Sequence, residues 1–158
     1  MGSLFGDFVY IGFWLFIFFI TLLFGLISYI FQGIGLYKIA KKEGYDKPWL
    51  AWIPFANSFL YPILTENDVH KSLQGKFTLI YGIAFVLTLI LNPYIPMISA
   101  LTTAILIYAF YFIAKRYSER GVAHVVVAII TFGISVPFQV FWLRNRKPKI
   151  EVLPKAKY

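Results

Sequence analysis

No charged residue occurs between Phe8 and Phe31. The 22 residues from Val9 to Ile30, at a rise of 1.5 Å each, make about 33 Å of helix, which predicts a transmembrane span. A cleaved leader fits this run poorly, because no Lys or Arg precedes it, it outlasts an ordinary h-region and no small-x-small site follows. The next apolar run, Trp49 to Leu64, has 16 residues, about 24 Å if helical, and contains Pro54 and Pro62. Each proline removes a backbone donor and crowds the preceding turn, so the run is expected to break near Asn57 and to dip into a membrane or lie along its surface. After the polar stretch Thr65–Lys76, two apolar runs, Phe77–Leu91 and Met97–Ala114, flank Asn92-Pro93-Tyr94-Ile95-Pro96 and read as a helical hairpin. A last apolar stretch, Val122–Leu143, is interrupted by Gly133 and Pro137.

Composition turns this pattern into a class. With 59% hydrophobic and 14% charged residues and a mean hydropathy of +0.72, a water-soluble domain of 158 residues is excluded. The 15 Lys and Arg against 7 Asp and Glu, a net +8, therefore speak of orientation rather than of nucleic acid. Asp7 precedes the first span and Lys38, Lys41, Lys42 and Lys47 follow it, so the positive-inside rule puts the N-terminus outside and the lysines in the cytoplasm. Three full spans, with Trp49–Leu64 and Val122–Leu143 re-entering, leave every Lys and Arg on one side. Five spans would put Lys71, Lys76, Lys115, Arg116 and Arg120 outside. The expected fold class is thus an all-α integral membrane protein: about three full transmembrane helices plus two Pro-broken re-entrant or interfacial segments. It forms a single polytopic membrane domain over 1–149, followed by a basic cytoplasmic tail over 150–158. Non-helical backbone at depth is tolerated only where protein covers it, which is the cost of that arrangement.

A parallel internal repeat is one reading of Tyr37-Lys38-Ile39-Ala40-Lys41-Lys42 against Tyr111-Phe112-Ile113-Ala114-Lys115-Arg116, 74 residues apart with four of six positions identical. A proline-interrupted apolar stretch follows each copy, with Pro62 25 residues after Tyr37 and Pro137 26 after Tyr111. The ordinary alternative is that Tyr and Lys mark any helix leaving a bilayer on its cytoplasmic side.

Few residues could carry chemistry. Glu66, Asp68 and His70 are the ligand types of a divalent cation or a proton relay, but no second cluster completes a coordination sphere, so a solvated loop is the competing reading and neither a metal nor a cofactor is expected. His124 sits just inside an apolar stretch near Arg120. Asn57 could satisfy carbonyls freed by the broken segment or line a polar cavity, and Gln139 and Thr131 are its counterparts in the second copy. Tyr37, Lys41, Lys42, Trp49, Trp52, Lys115 and Arg116 read as lipid-interface residues, with the cations drawing anionic headgroups. With no cysteine, disulfides, thiolate zinc sites and cysteine nucleophiles are excluded, and no P-loop, Gly-x-Ser-x-Gly or His-Glu-x-x-His is present.

The stretch Tyr37-x-Ile39-Ala40-Lys41-Lys42-x-Gly44, continued by Pro48-Trp49-Leu50-Ala51-Trp52-Ile53-Pro54-x-x-Asn57, resembles a pattern of small bacterial integral membrane proteins of unknown function. The resemblance covers about residues 35–60, implies a bacterial cytoplasmic membrane and brings no activity. The family's pattern continues with a glycine-containing polar link, whereas this chain has Thr65-Glu66-Asn67-Asp68. The expected function is non-enzymatic association with another membrane component, as an accessory subunit or an immunity or stress-protection factor, in a bilayer with anionic headgroups. The alternative is a small oligomeric transporter or channel for an ion or small solute.

Overall fold

The computed structural model describes residues 2–149, with side chains from Asp7 onward; the tail expected at 150–158 lies outside them. The described residues form six helices and no strand: α1 Gly2–Lys42, α2 Ala56–Thr65, α3 Phe77–Leu91, α4 Ile98–Tyr117, α5 Gly121–Ile130 and α6 Val136–Leu143, with a 3-10 turn at Pro48–Trp52 before α2. Two of them, α1 over Asp7–Lys42 and α4, are long and apolar enough to cross a membrane. The third expected span, α3, has 15 residues, about 22 Å, and falls short by length.

α1 stops where the chain meets Gly44, whose φ of +70° only glycine adopts freely; Glu43 N–H still donates to Ile39 and Tyr45 N–H reaches back to Ala40. The first proline-containing run breaks at Pro54, as its chemistry predicts, but Pro62 stays inside a continuous α2. Its missing N–H forfeits one bond of the ladder, and Pro62 is buried in the packed core. The second run is also two helices, α5 and α6, joined by the turn 131–135, in which Gly133 has φ +83° and Pro137 opens α6 at a position where its lost donor costs little.

Both broken runs are hairpins that start and finish at the same end of the bundle. Arg116 at the end of α4 meets Glu43 just after α1 and Asp68 just after α2, and Glu66 holds the start of α3. Lys42 at the end of α1 meets the carbonyls that follow α6, while Gly121 at the start of α5 lies against Lys115. The core sits beneath this charged end and includes Leu36, Ile39, Leu60, Leu64, Phe110, Ile113, Val140 and Leu143. Away from it, residues 7–27 of α1, about 32 Å of helix, are exposed throughout.

Candidate functional site

Polar side chains gather in two places: a buried ion cluster at the charged end and a hydrogen-bonded chain inside the second hairpin. In the cluster, Arg116 is 6% exposed and pairs with both the Glu43 and the Asp68 carboxylates. Its second amino group also donates to the Leu64 carbonyl at 3.4 Å, and Tyr117 OH donates to Glu43 at 3.2 Å. One guanidinium thus ties the ends of α1, α2 and α4, which suits its planar fork of donors. The same role explains why Arg116, expected at the lipid interface, is buried: two carboxylates and a helix-end carbonyl replace its water.

Lys42, which holds in the first sextet the place of Arg116 in the second, does the reciprocal job. Its ammonium donates to the carbonyls of Arg144 and Arg146, the latter at 2.9 Å, just beyond α6. The packing is reciprocal as well: α1 rests on its own 3-10 turn and on α6, and α4 rests on its own α5 and on α2. The turn of each hairpin carries a phenylalanine at positive φ, Phe55 at +66° and Phe132 at +50°, an unusual backbone for a bulky residue. Both rings are largely bare, at 69% and 86% exposure.

The second hairpin encloses the polar chain. His124 Nδ1 lies 2.8 Å from Gln139 Oε1, Gln139 Nε2 donates to Ser135 Oγ at 2.8 Å, and Ser135 Oγ lies 2.7 Å from Thr131 Oγ1. With the Gln139 amide nitrogen assigned to Ser135, its oxygen faces the ring, an arrangement that matches the tautomer with the proton on Nδ1 and leaves Nε2 as the remaining polar atom of His124. Thr131, Ser135 and Gln139 recur at every fourth residue, the spacing that could have revealed the chain in the sequence, with Ser135 the member that sequence reasoning missed.

The loop trio does not converge. Glu66 receives the N–H groups of Phe77 and Thr78, each at 2.8 Å, and so caps α3; Asp68 belongs to Arg116; His70 is exposed and bonds Ser72 at 2.8 Å. No group of three or more His, Cys, Asp or Glu that could hold a metal occurs among the described residues. Asn57, 8% exposed in the first turn of α2, contributes its backbone N–H to Ile53 at 3.0 Å and makes no side-chain hydrogen bond. Of the other interface residues, Lys41, Trp49, Trp52 and Lys115 are exposed and Tyr37 is half-buried; Trp52 also lies against Gly33. Comparison with protein-family models, curated proteins and solved structures gave no match.

Proposed function

We propose that the chain is a non-enzymatic, multi-pass protein of the bacterial cytoplasmic membrane that works by lateral association with another membrane component through the free arm of α1. One observation carries the association: residues 7–27 are exposed throughout, with Phe24 at their inner end meeting Phe138 of α6 at 5.8 Å between ring centroids, yet they include Phe, Trp, Leu and Ile on every side. In the membrane, α3 joins α1 and α4 as a span, Lys76 snorkelling to extend its reach, and the two hairpins re-enter from the cytoplasmic face. Bare apolar tips at Phe55 and Phe132 support re-entry, since such groups belong in hydrocarbon rather than water. The reciprocal docking of α1 on α6 and of α4 on α2 supports descent from a parallel duplication. Each member of the loop trio has a structural or solvent-facing role: Glu66 caps α3, Asp68 pairs with Arg116 and His70 is exposed.

A photo-crosslinking residue walked from Phe8 to Phe24 in native membranes tests the association. Adducts to protein recurring every three to four positions are the expected result, because one face of a helix meets a partner. Labelling of lipid alone at all positions rejects it.

A second reading, a small oligomeric transporter, draws on the polar chain running from His124 to Thr131. Solute flux into reconstituted vesicles, lost in Gln139→Leu and Asn57→Leu, would establish that reading, and unaltered vesicle permeability would remove it.

A further inference from the structure

The mouth of the second hairpin is a groove of about 730 Å³ between the start of α5 and the end of α6, and its chemistry is uneven. Arg120, Arg146, Lys147 and Lys149 line its rim, while His124 and Trp142 line its interior together with the apolar Ala123 and Val127. The one carboxylate at the rim, Glu119, pairs with Lys149 at 3.0 Å, and that hydrogen bond and charge hold it below the usual carboxylate range. Arg120 and Arg146 lie near enough to Glu119 to lower it further, but among the described residues neither they nor Lys147 forms a salt bridge, so the rim keeps an excess of positive charge around a space lined by aromatic rings.

The cations are placed rather than scattered. The Arg146 guanidinium carbon lies over the Trp142 ring, 3.6 Å from its centroid, which holds the cation at the groove, and Trp142 in turn packs on His124 at 5.4 Å between centroids. His124 is oriented by its Nδ1 bond to Gln139, so the ring keeps Nε2 for another partner. At the start of α5 Ser118 Oγ accepts the Arg120 N–H at 3.2 Å, the Arg120 side chain makes no capping bond, and the N–H groups of the first turn add a partial positive charge at the same mouth.

We propose that this groove binds a phosphate-bearing anion. Arg120, Arg146 and Lys147 would neutralise the phosphate, guanidinium groups matching its oxygens in pairs, and His124 Nε2 would supply or share a further hydrogen bond. Ala123, Val127 and Trp142 offer an apolar wall to whatever the phosphate is attached to, as an acyl glycerol backbone would be. The proposal deepens the membrane reading by naming a headgroup chemistry and a place for it, and it rests on that reading only for the lipid as source.

The test uses the full chain, purified and stripped of lipid in detergent, titrated with phosphatidylglycerol, phosphatidylcholine and inorganic phosphate and read by native mass spectrometry. The variant Arg120→Gln/Arg146→Gln/Lys147→Gln is compared with Lys38→Gln/Lys47→Gln/Lys71→Gln, which removes the same charge from exposed positions outside the groove. The expected result is phosphatidylglycerol preferred over phosphatidylcholine, its binding weakened about tenfold by the groove variant and less than twofold by the control. Competition by inorganic phosphate, or phosphate binding without lipid, upholds the groove and in the latter case assigns a soluble source, even if the chain proves not to cross a membrane. Equal losses in the two variants, or no preference and no phosphate binding in the parent chain, overturn the proposal. Unchanged gel-filtration and circular-dichroism profiles identify variants that have kept the fold, and Trp142→Leu, which leaves every charge in place but frees Arg146, is expected to weaken binding in the same direction.

Discussion

Arg116 shows how one side chain can decide where helix ends meet. Burying a guanidinium is tolerable here because Glu43 and Asp68 both face it and the Leu64 carbonyl takes a third donor. Replacing it with methionine leaves Glu43, itself 4% exposed, without that cation, so Arg116→Met is expected to cost about 3–5 kcal/mol. Lys115→Met, on the exposed face one residue away, should stay within about 0.5 kcal/mol. Chemical unfolding in micelles measures both, and equal effects would show that the cluster adds nothing to stability. The sequence announced Arg116 as a boundary cation but not its burial, because the positive-inside pattern reports which side a charge lies on and says nothing of what it meets. Glu43, the lone acid directly after Lys41 and Lys42, was the available clue.

Close backbone approach fixes the docking of the helices. A Cβ at Gly35 would lie 2.7 Å from Val140 Cγ1 and 2.9 Å from Phe141 N, and one at Gly121 would lie 2.8 Å from Lys115 Cα. Since these neighbours include backbone, Gly35→Ala and Gly121→Ala are each expected to destabilise by about 1–3 kcal/mol. Gly12→Ala meets open space on α1 and should be neutral or slightly stabilising through helix propensity. Thermal melts of the three variants check this ordering, and a loss at Gly12 as large as at Gly35 would mean that the arm of α1 is already packed against a partner in the purified protein. The hydrophobic runs gave the helices closely: Phe77–Leu91 coincides with α3, and the breaks near Pro54 and between Gly133 and Pro137 fall where the backbone chemistry puts them. Pro62 misled, because a proline interrupts a helix only when packing does not hold the neighbouring turns, and nothing local encodes that packing.

The arrangement of charge along the entire chain is what the proposed topology rests on. Among the described residues the termini of α1, α2, α4 and α6 and the starts of α3 and α5 converge on one charged end, whereas Asp7 lies far along the bare arm of α1. α1 also makes a demand of its own. Its uncharged stretch reaches from Phe8 to Tyr37, about 45 Å against a hydrocarbon core of about 30 Å, so in the proposed membrane arrangement it would have to tilt steeply or be sheathed by a partner. Hydropathy made the apolar length legible but could not show that the bundle leaves the outer part bare, since that depends on how far α6 and the 3-10 turn climb along the helix. Single cysteines at Ser72, Glu119 and Asn145, and one at Tyr94 in the α3–α4 turn, probe the central claim directly in a chain with no native cysteine. Treated with a membrane-impermeant maleimide, the first three should label only in inverted vesicles and the fourth only in intact cells; labelling of Ser72 or Asn145 from outside would contradict two re-entrant hairpins and a single cytoplasmic charged face.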